Sequence, residues 1–305
     1  MRKEDIENQE HRYLNRSLWA NLQSLKSTVS FMQTGAHPDD ETSRLLAKLS
    51  LDEGYYVSYV NAVRGQGGQN SIGPERDDNL GALRTYELLK AMSVLRVDVG
   101  WLANSRNNSI VDFGLSKSAE ETFEFWDKKY TIERMVRMVR AYKPDIIIPT
   151  FLDVDGQHGH HRAVTRATIE AYDKSNDPEM FPDDDFGPWK ISQIFLPAWS
   201  GGGGSYDDEE DPPKATHSID VGNFNHIYGG TYNQIGEWSR SYHATQNIGK
   251  LAHEDNIDVP LHLLKGTYVD GDITGGVIPK NFLELSNFAI NENGKKVLQE
   301  CHKLA

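Results

Sequence analysis

His37-Pro38-Asp39-Asp40-Glu41 brings one imidazole and three carboxylates together within five consecutive residues. A tight His-x-x-Asp turn can aim His37 and Asp40 at one point, as a divalent metal requires. Asp39 beside them can hold and deprotonate a water. The plainer alternative is a surface turn whose acids cap a helix N-terminus. A second cluster, His158-Gly159-His160-His161-Arg162-Ala163, holds three of the 11 histidines at a predicted strand-to-helix junction. Neutral imidazole is the commonest metal ligand, and catalytic zinc keeps three protein ligands with one position open. His37, Asp40 and one of these three histidines would fill that count. The alternative is a solvated His-rich loop. Cys301 is the only cysteine, which excludes a disulfide framework and a cysteine-rich metal site.

The elements that must position these clusters are visible in the hydrophobic pattern. β-rich runs at Thr28–Gln33, Tyr55–Val63, Val97–Ala103, Asp145–Thr150 and Gln193–Trp199 alternate with helical patterns at Glu41–Asp52, Asn79–Leu95, Thr131–Tyr142 and His161–Lys174. Such alternation predicts βαβ units, hence an α/β, Rossmann-like fold with a mostly parallel sheet and helices on both faces. Ligands in such folds sit beyond the carboxyl ends of the strands, and both clusters follow predicted strands there. Leu14, Leu18, Leu22 and Leu25 recur at helical spacing, which predicts an amphipathic N-terminal helix packed on the next elements of the chain. Gly201–Ser205 and the acidic run Asp207–Asp211 read as a flexible loop at about 200–215. It is taken as an excursion within a single domain spanning 1–305, because the strand-like His217–Val221 and the helix near Tyr232–Gly249 are too short for a second core.

In carrying both motifs, in this order and each after a strand, the sequence resembles the PIG-L/LmbE family of N-acetylglucosaminyl-type deacetylases. The family's (A)HPDDE motif reads Ala36–Glu41 here, and its HxxH motif reads His158-Gly159-His160-His161. The likeness continues through Arg84–Leu88, Asp112-Phe113-Gly114 and Lys143–Ile147, so it covers at least residues 28–175. The resemblance implies that His37, Asp40 and His161 ligate Zn²⁺, that Asp39 is the general base, and that His158 stabilises or protonates the tetrahedral intermediate. It further implies that Arg84 and Asp112 bind sugar hydroxyls. A local Arg84–Glu87 pair is the structural alternative for the first. Ser239–Gln246 looks like a segment of larger family members, from which His243 or Gln246 could reach the substrate.

The chain also departs from the pattern. Arg64–Asn70 superficially suggests a dinucleotide fingerprint, but Asn70 stands where its third glycine would be. Gln66 occupies a position that is acidic in much of the family. Gly156 occupies the place of a tyrosine found in mycothiol-pathway members.

Composition narrows the function classes. A formal net charge of -13 (45 Asp+Glu against 32 Lys+Arg) disfavours nucleic acid, anionic membranes, and a phosphatase or nuclease. No run approaches a membrane span, and the charged segment Met1–Glu7 lacks the apolar core of a signal peptide, so a cytoplasmic address is expected, with secretion as the alternative. The leading expectation is a zinc-dependent hydrolase removing an N-acyl, typically acetyl, group from an amino sugar or glycoconjugate. The alternatives are an amidase cleaving a larger amide and a non-catalytic sugar-binding protein. A His/His/Asp set also admits Fe²⁺, Co²⁺ or Ni²⁺, and a homo-oligomer is compatible with the sequence.

Overall fold

The computed structural model describes residues 18–104, 108–199, 208–249 and 257–304. Its centre is a seven-stranded sheet. The strands are β1 (Ser30–Gly35), β2 (Tyr56–Asn61), β3 (Asp98–Trp101), β4 (Ile146–Pro149), β5 (Gln193–Pro197), β6 (His217–Asp220) and β9 (Asp258–Lys265), in the order β3-β2-β1-β4-β5-β9-β6. The first five are parallel, and β9 runs antiparallel to both β5 and β6. A separate small hairpin joins β7 (Phe224–Asn225) to β8 (Gly230–Thr231). The mostly parallel α/β architecture is the one the alternating pattern requires.

Side chains alternate across this sheet and feed two cores. Phe31, Tyr59, Ile146, Ile148 and Phe195 face helices α1 (Ser43–Leu51) and α2 (Asp77–Leu95). Met32, Val60, Ile147 and Ile194 face α3 (Ala119–Trp126), α4 (Lys128–Tyr142) and α5 (Gly159–Lys174). The period-2 alternation of strand side chains is what allows two-sided burial. Helix α6 (Tyr232–Arg240) packs on α1 and α2, and α7 (Phe282–Leu285) and α8 (Glu292–Leu304) come after it in the chain.

β1 lies between β2 and β4, so the chain leaves β1 towards one side and returns later on the other. The crevice beyond the carboxyl ends of β1 and β4 is thus the topological switch point, where α/β sheets bind ligands. His37 follows β1 and His158 follows β4.

The N-terminal helix differs from expectation. Leu14 lies outside the described residues. Residues 18–23 are helical, but Leu18 (60% exposed) and Leu22 (45%) face solvent while Ala20 and Gln23 are buried. Ala20 joins the core cluster that holds residues of α1 and β2. Of the acidic loop, residues 200–207 lie outside the described residues. Beyond it, β6 and β9 join the same sheet as β5. No described helix is long and apolar enough to cross a membrane.

Candidate metal centre

The turn after β1 is held from within. The backbone N–H groups of Ala36 and His37 both donate to Asp40 Oδ2 at 2.8 Å, leaving Oδ1 to face His161. His37 Nδ1 lies 3.1 Å from His161 Nε2 and 3.6 Å from Asp40 Oδ2, and His161 Nε2 lies 3.3 Å from Asp40 Oδ1. Donors around a tetrahedral ion with bonds of about 2.0–2.1 Å stand roughly 3.3 Å apart. The three side chains are therefore spaced as ligands, and all are slightly open to solvent, 7–13% exposed. A nitrogen of His158 also comes within 4.8 Å of His37 and His161, and His37, Asp112 and His160 make a second such group.

The histidines reach this point because α5 begins there. His158 is its N-cap residue, and His160 and His161 lie in its first turn. Gly159 is demanded by the packing. A Cβ at this position would fall 2.1 Å from Ser116 Oγ and 2.5 Å from the Ser118 carbonyl oxygen, so only glycine lets α5 start so close to that loop.

The outer nitrogen of each ligand also has a partner, which fixes its tautomer. His161 Nδ1 donates to Gln157 Oε1 at 2.6 Å, and its ring stacks on Phe151. His37 Nε2 lies 3.0 Å from His160 Nδ1. His160 is fully buried against Phe113 and Trp126, and its Nε2 has no hydrogen-bond partner among the described residues. Burial and the charges of His37, His158 and His161 hold His160 far below the ordinary imidazole range. A neutral His160 accepting at Nδ1 from His37 Nε2–H leaves His37 Nδ1 as the metal-facing nitrogen.

The charge pattern suits a cation. Burial alone would lower the His37 pKa, but its hydrogen bond to Asp40 and the charges of Asp40, Asp112 and Asp39 raise it to about 9. Burial would raise Asp40, yet the His161 charge and hydrogen bonds from His161 and His37 hold its carboxyl well below the usual range. A proton on His37 thus occupies the charge balance that an ion would take over.

Asp39 stands beside these donors with a backbone φ of +107°, a region that strains a non-glycine residue. Burial first, then repulsion from Asp40 and Glu41, pushes its pKa up to about 7. Contacts from a distant segment hold the turn in this shape. Asp39 N–H donates to Glu41 Oε2, Arg240 Nη1 donates to the carbonyls of Asp39 and Glu41, and Gln246 Nε2 donates to that of Pro38. His243 Nε2 donates to Glu41 Oε1 at 2.8 Å, with both side chains fully buried. Burial raises Glu41 and lowers His243, but their mutual charge and hydrogen bond dominate, lowering Glu41 and raising His243. Stability from this pair is fully present above the unfolded Glu value of 4.5 and below the unfolded His value of 6.5. It is lost as pH falls through the depressed Glu41 pKa or rises through the elevated His243 pKa. Glu41→Ala leaves a buried imidazolium unpaired and should cost about 3–5 kcal/mol in denaturant unfolding near pH 6. A loss below about 1 kcal/mol would show that the pair holds nothing together.

The residues expected to meet substrate are enclosed. His243 is engaged with Glu41. Arg84, 6% exposed, donates to the carbonyls of Gly65 and Gln69 at 2.9 and 2.7 Å, so it shapes the Gly-rich loop after β2. Glu87, its suggested helical partner, instead accepts from the Thr245 N–H and hydroxyl. Asp112, 9% exposed, accepts from Gly114 N–H and lies 3.9 Å from His160 Nδ1. His158 is held as a neutral ring. Burial, then the charges of His37 and His161, lower its pKa to about 3, and its Nε2–H points at the Gly114 carbonyl 3.1 Å away. Gly156 has φ +86°, where a tyrosine would be strained, so the tyrosine of mycothiol-pathway members has no easy counterpart. Sequence reasoning passed over Gln157, His160 as a partner of His37, and the carbonyl-binding roles of Arg240 and Gln246. The neighbouring motifs marked the first two only by position.

Part of the chain, including both clusters, is similar to known proteins. Residues 32–172 match the family model described as PIG-L: GlcNAc-PI de-N-acetylase. The chain is 31% identical over 178 residues to a 1D-myo-inositol 2-acetamido-2-deoxy-alpha-D-glucopyranoside deacetylase of Streptomyces scabiei, covering 52% of this chain and 53% of that protein. It is 27% identical over 175 residues to a mycothiol S-conjugate amidase of Streptomyces coelicolor, covering 52% and 57%. The match spans little more than half the length of these relatives. The fold is shared with GalB, the 4-carboxy-2-hydroxymuconate hydratase of Pseudomonas putida KT2440, at a TM-score of 0.51 and 12% identity over 80% of this chain and 99% of that one. A hydratase on this fold means that fold alone does not name the reaction. The sequence match is more specific, and it encloses both clusters: residues 32–172 resemble the PIG-L family.

Proposed function

We propose that the chain is a zinc-dependent N-deacetylase acting on an N-acetylated amino sugar or its conjugate. The observation that carries this reading is the convergence of His37, Asp40 and His161 donors, at 3.1, 3.3 and 3.6 Å, with the Asp39 carboxylate near enough for its charge to act on His37. The name of the Streptomyces scabiei relative, an acetamido-sugar deacetylase, supports the substrate class. His37, Asp40 and His161 would hold the ion. When bound, it supplies a Lewis acid for the amide carbonyl and lowers the pKa of a water towards ~7.

The chain's own residues then handle the protons. Asp39 takes one from the attacking water as its oxygen bonds to the amide carbon, and returns it to the departing nitrogen as the C–N bond breaks. The products are the carboxylic acid and the free amine. His158 shares a donor group with His37 and His161, and we assign it to stabilising the intermediate. We assign Arg84, Asp112 and His243 to holding the loops that wall the site.

A second reading has its own support. The amidase of Streptomyces coelicolor matches the same half of the chain, so a larger acyl group is the alternative. Acid release from N-acetylglucosamine, N,N'-diacetylchitobiose and bulkier N-acyl glucosamines separates the two. Acetate with free amino sugar supports deacetylation. Inert acetamides with cleaved larger amides would transfer the assignment to the amidase. No amine from any of them would remove both.

A further inference from the structure

The acidic stretch after Gly201–Ser205 is unexplained by the proposed chemistry, yet its first described residue bonds to Gln157, the partner of His161. Asp208 Oδ1 accepts from Gln157 Nε2 at 2.9 Å, and Glu209 N–H donates to the Asp155 carbonyl at 2.8 Å. Asp208 and Glu209 are therefore docked along the segment that precedes α5. Gln157 is 2% exposed, and its Oε1 accepts from both the His158 N–H at 2.9 Å and His161 Nδ1 at 2.6 Å.

These contacts have one consistent polarity. A carboxylate only accepts, so the amide nitrogen of Gln157 faces Asp208 and the amide oxygen faces His161. An amide oxygen also only accepts, so the hydrogen of His161 resides on Nδ1. Nε2 then carries the lone pair, and Nε2 is the nitrogen 3.3 Å from Asp40 Oδ1 and 3.1 Å from His37 Nδ1. An amide turned the other way would present N–H groups to His161 Nδ1 and favour the tautomer whose Nε2 cannot bind metal.

We propose that Gln157 and Asp208 are positioning residues that fix His161 in its metal-binding tautomer, which makes Asp208 a working part of the metal centre. The relay ends in a neutral amide at the ligand, so it orients His161 without adding a charge beside the ion. The inference rests on the metal-site reading, and its test reads metal affinity rather than turnover.

Zinc affinity of the full chain is measured by competition with a chromophoric chelator, alongside denaturant unfolding of the metal-free protein. Gln157→Ala should weaken zinc binding by about 10–100-fold, the range for removing the outer partner of a ligating histidine. Asp208→Ala, on the loop and less exposed to folding defects, should weaken it in the same direction by a smaller factor. Asp208→Asn retains an accepting oxygen and should restore much of the loss. Parental zinc affinity in both alanine variants would overturn the relay. So would an Asp208→Asn variant as weak as Asp208→Ala, since a hydrogen bond would then not be the cause. Failure of the parent protein to take up zinc would instead overturn the metal-site reading itself.

Discussion

Asp39→Asn is expected to lower kcat by roughly 10²–10⁴-fold while metal content stays at the parental level. The side chain keeps its size and loses only its ability to accept a proton, so the KM should change far less than kcat. Asp39 has the proper basicity for this work, because burial and the charges of Asp40 and Glu41 bring its pKa to about 7 in the metal-free protein. Only the ionised form can act as base, so activity is lost as pH falls through its pKa. A neighbouring cation favours the carboxylate, which places the acidic limb of the kcat profile at or below pH 7. The variant should lack that limb. Parental kcat with Asn at this position would remove Asp39 from the chemistry, and the φ of +107° would then need another explanation.

His161→Ala should have the second large effect, on binding rather than on the chemical step. Loss of a direct ligand leaves His37 and Asp40, and zinc affinity should fall by more than the 10–100-fold expected for an outer partner. Metal uptake in the parent should also release protons near pH 8, because His37 with a pKa of about 9 must lose its proton to present Nδ1. His161→Ala should diminish uptake and proton release together. Unchanged stoichiometric zinc in this variant would transfer the ligand role to His158, which shares a donor group with His37, or to His160.

The sheet and the meeting of His37, Asp40 and His161 were legible in the sequence for a common physical reason. Buried parallel strands read as short apolar runs, so Ile146–Pro149 and Gln193–Pro197 stand out, and the turns after β1 and β4 are polar where the runs stop. β9 was not legible. Pro260 sits inside it and His262 interrupts its apolar residues, both of which read against a central strand, although its pairing with β5 and β6 tolerates them. α3 was missed because Ala119–Trp126 is only eight residues long.

At the site, the limit of legibility was which polar side chains the fold engages with its own backbone and acids. Arg84 and His243 have the chemistry to bind a sugar, but pairing across 15–19 residues with carbonyls and across 202 residues with Glu41 cannot be read from local spacing. The neutral state of His158 depends likewise on burial and on its neighbours' charges, which only the assembled fold supplies.

The most direct test of the central claim is acetate release from an N-acetylated amino sugar by protein stripped of metal and then titrated with Zn²⁺. The stripped protein should release none, and recovery should reach its plateau at one equivalent of zinc. Undiminished release from protein shown to be metal-free would contradict a zinc-dependent deacetylase.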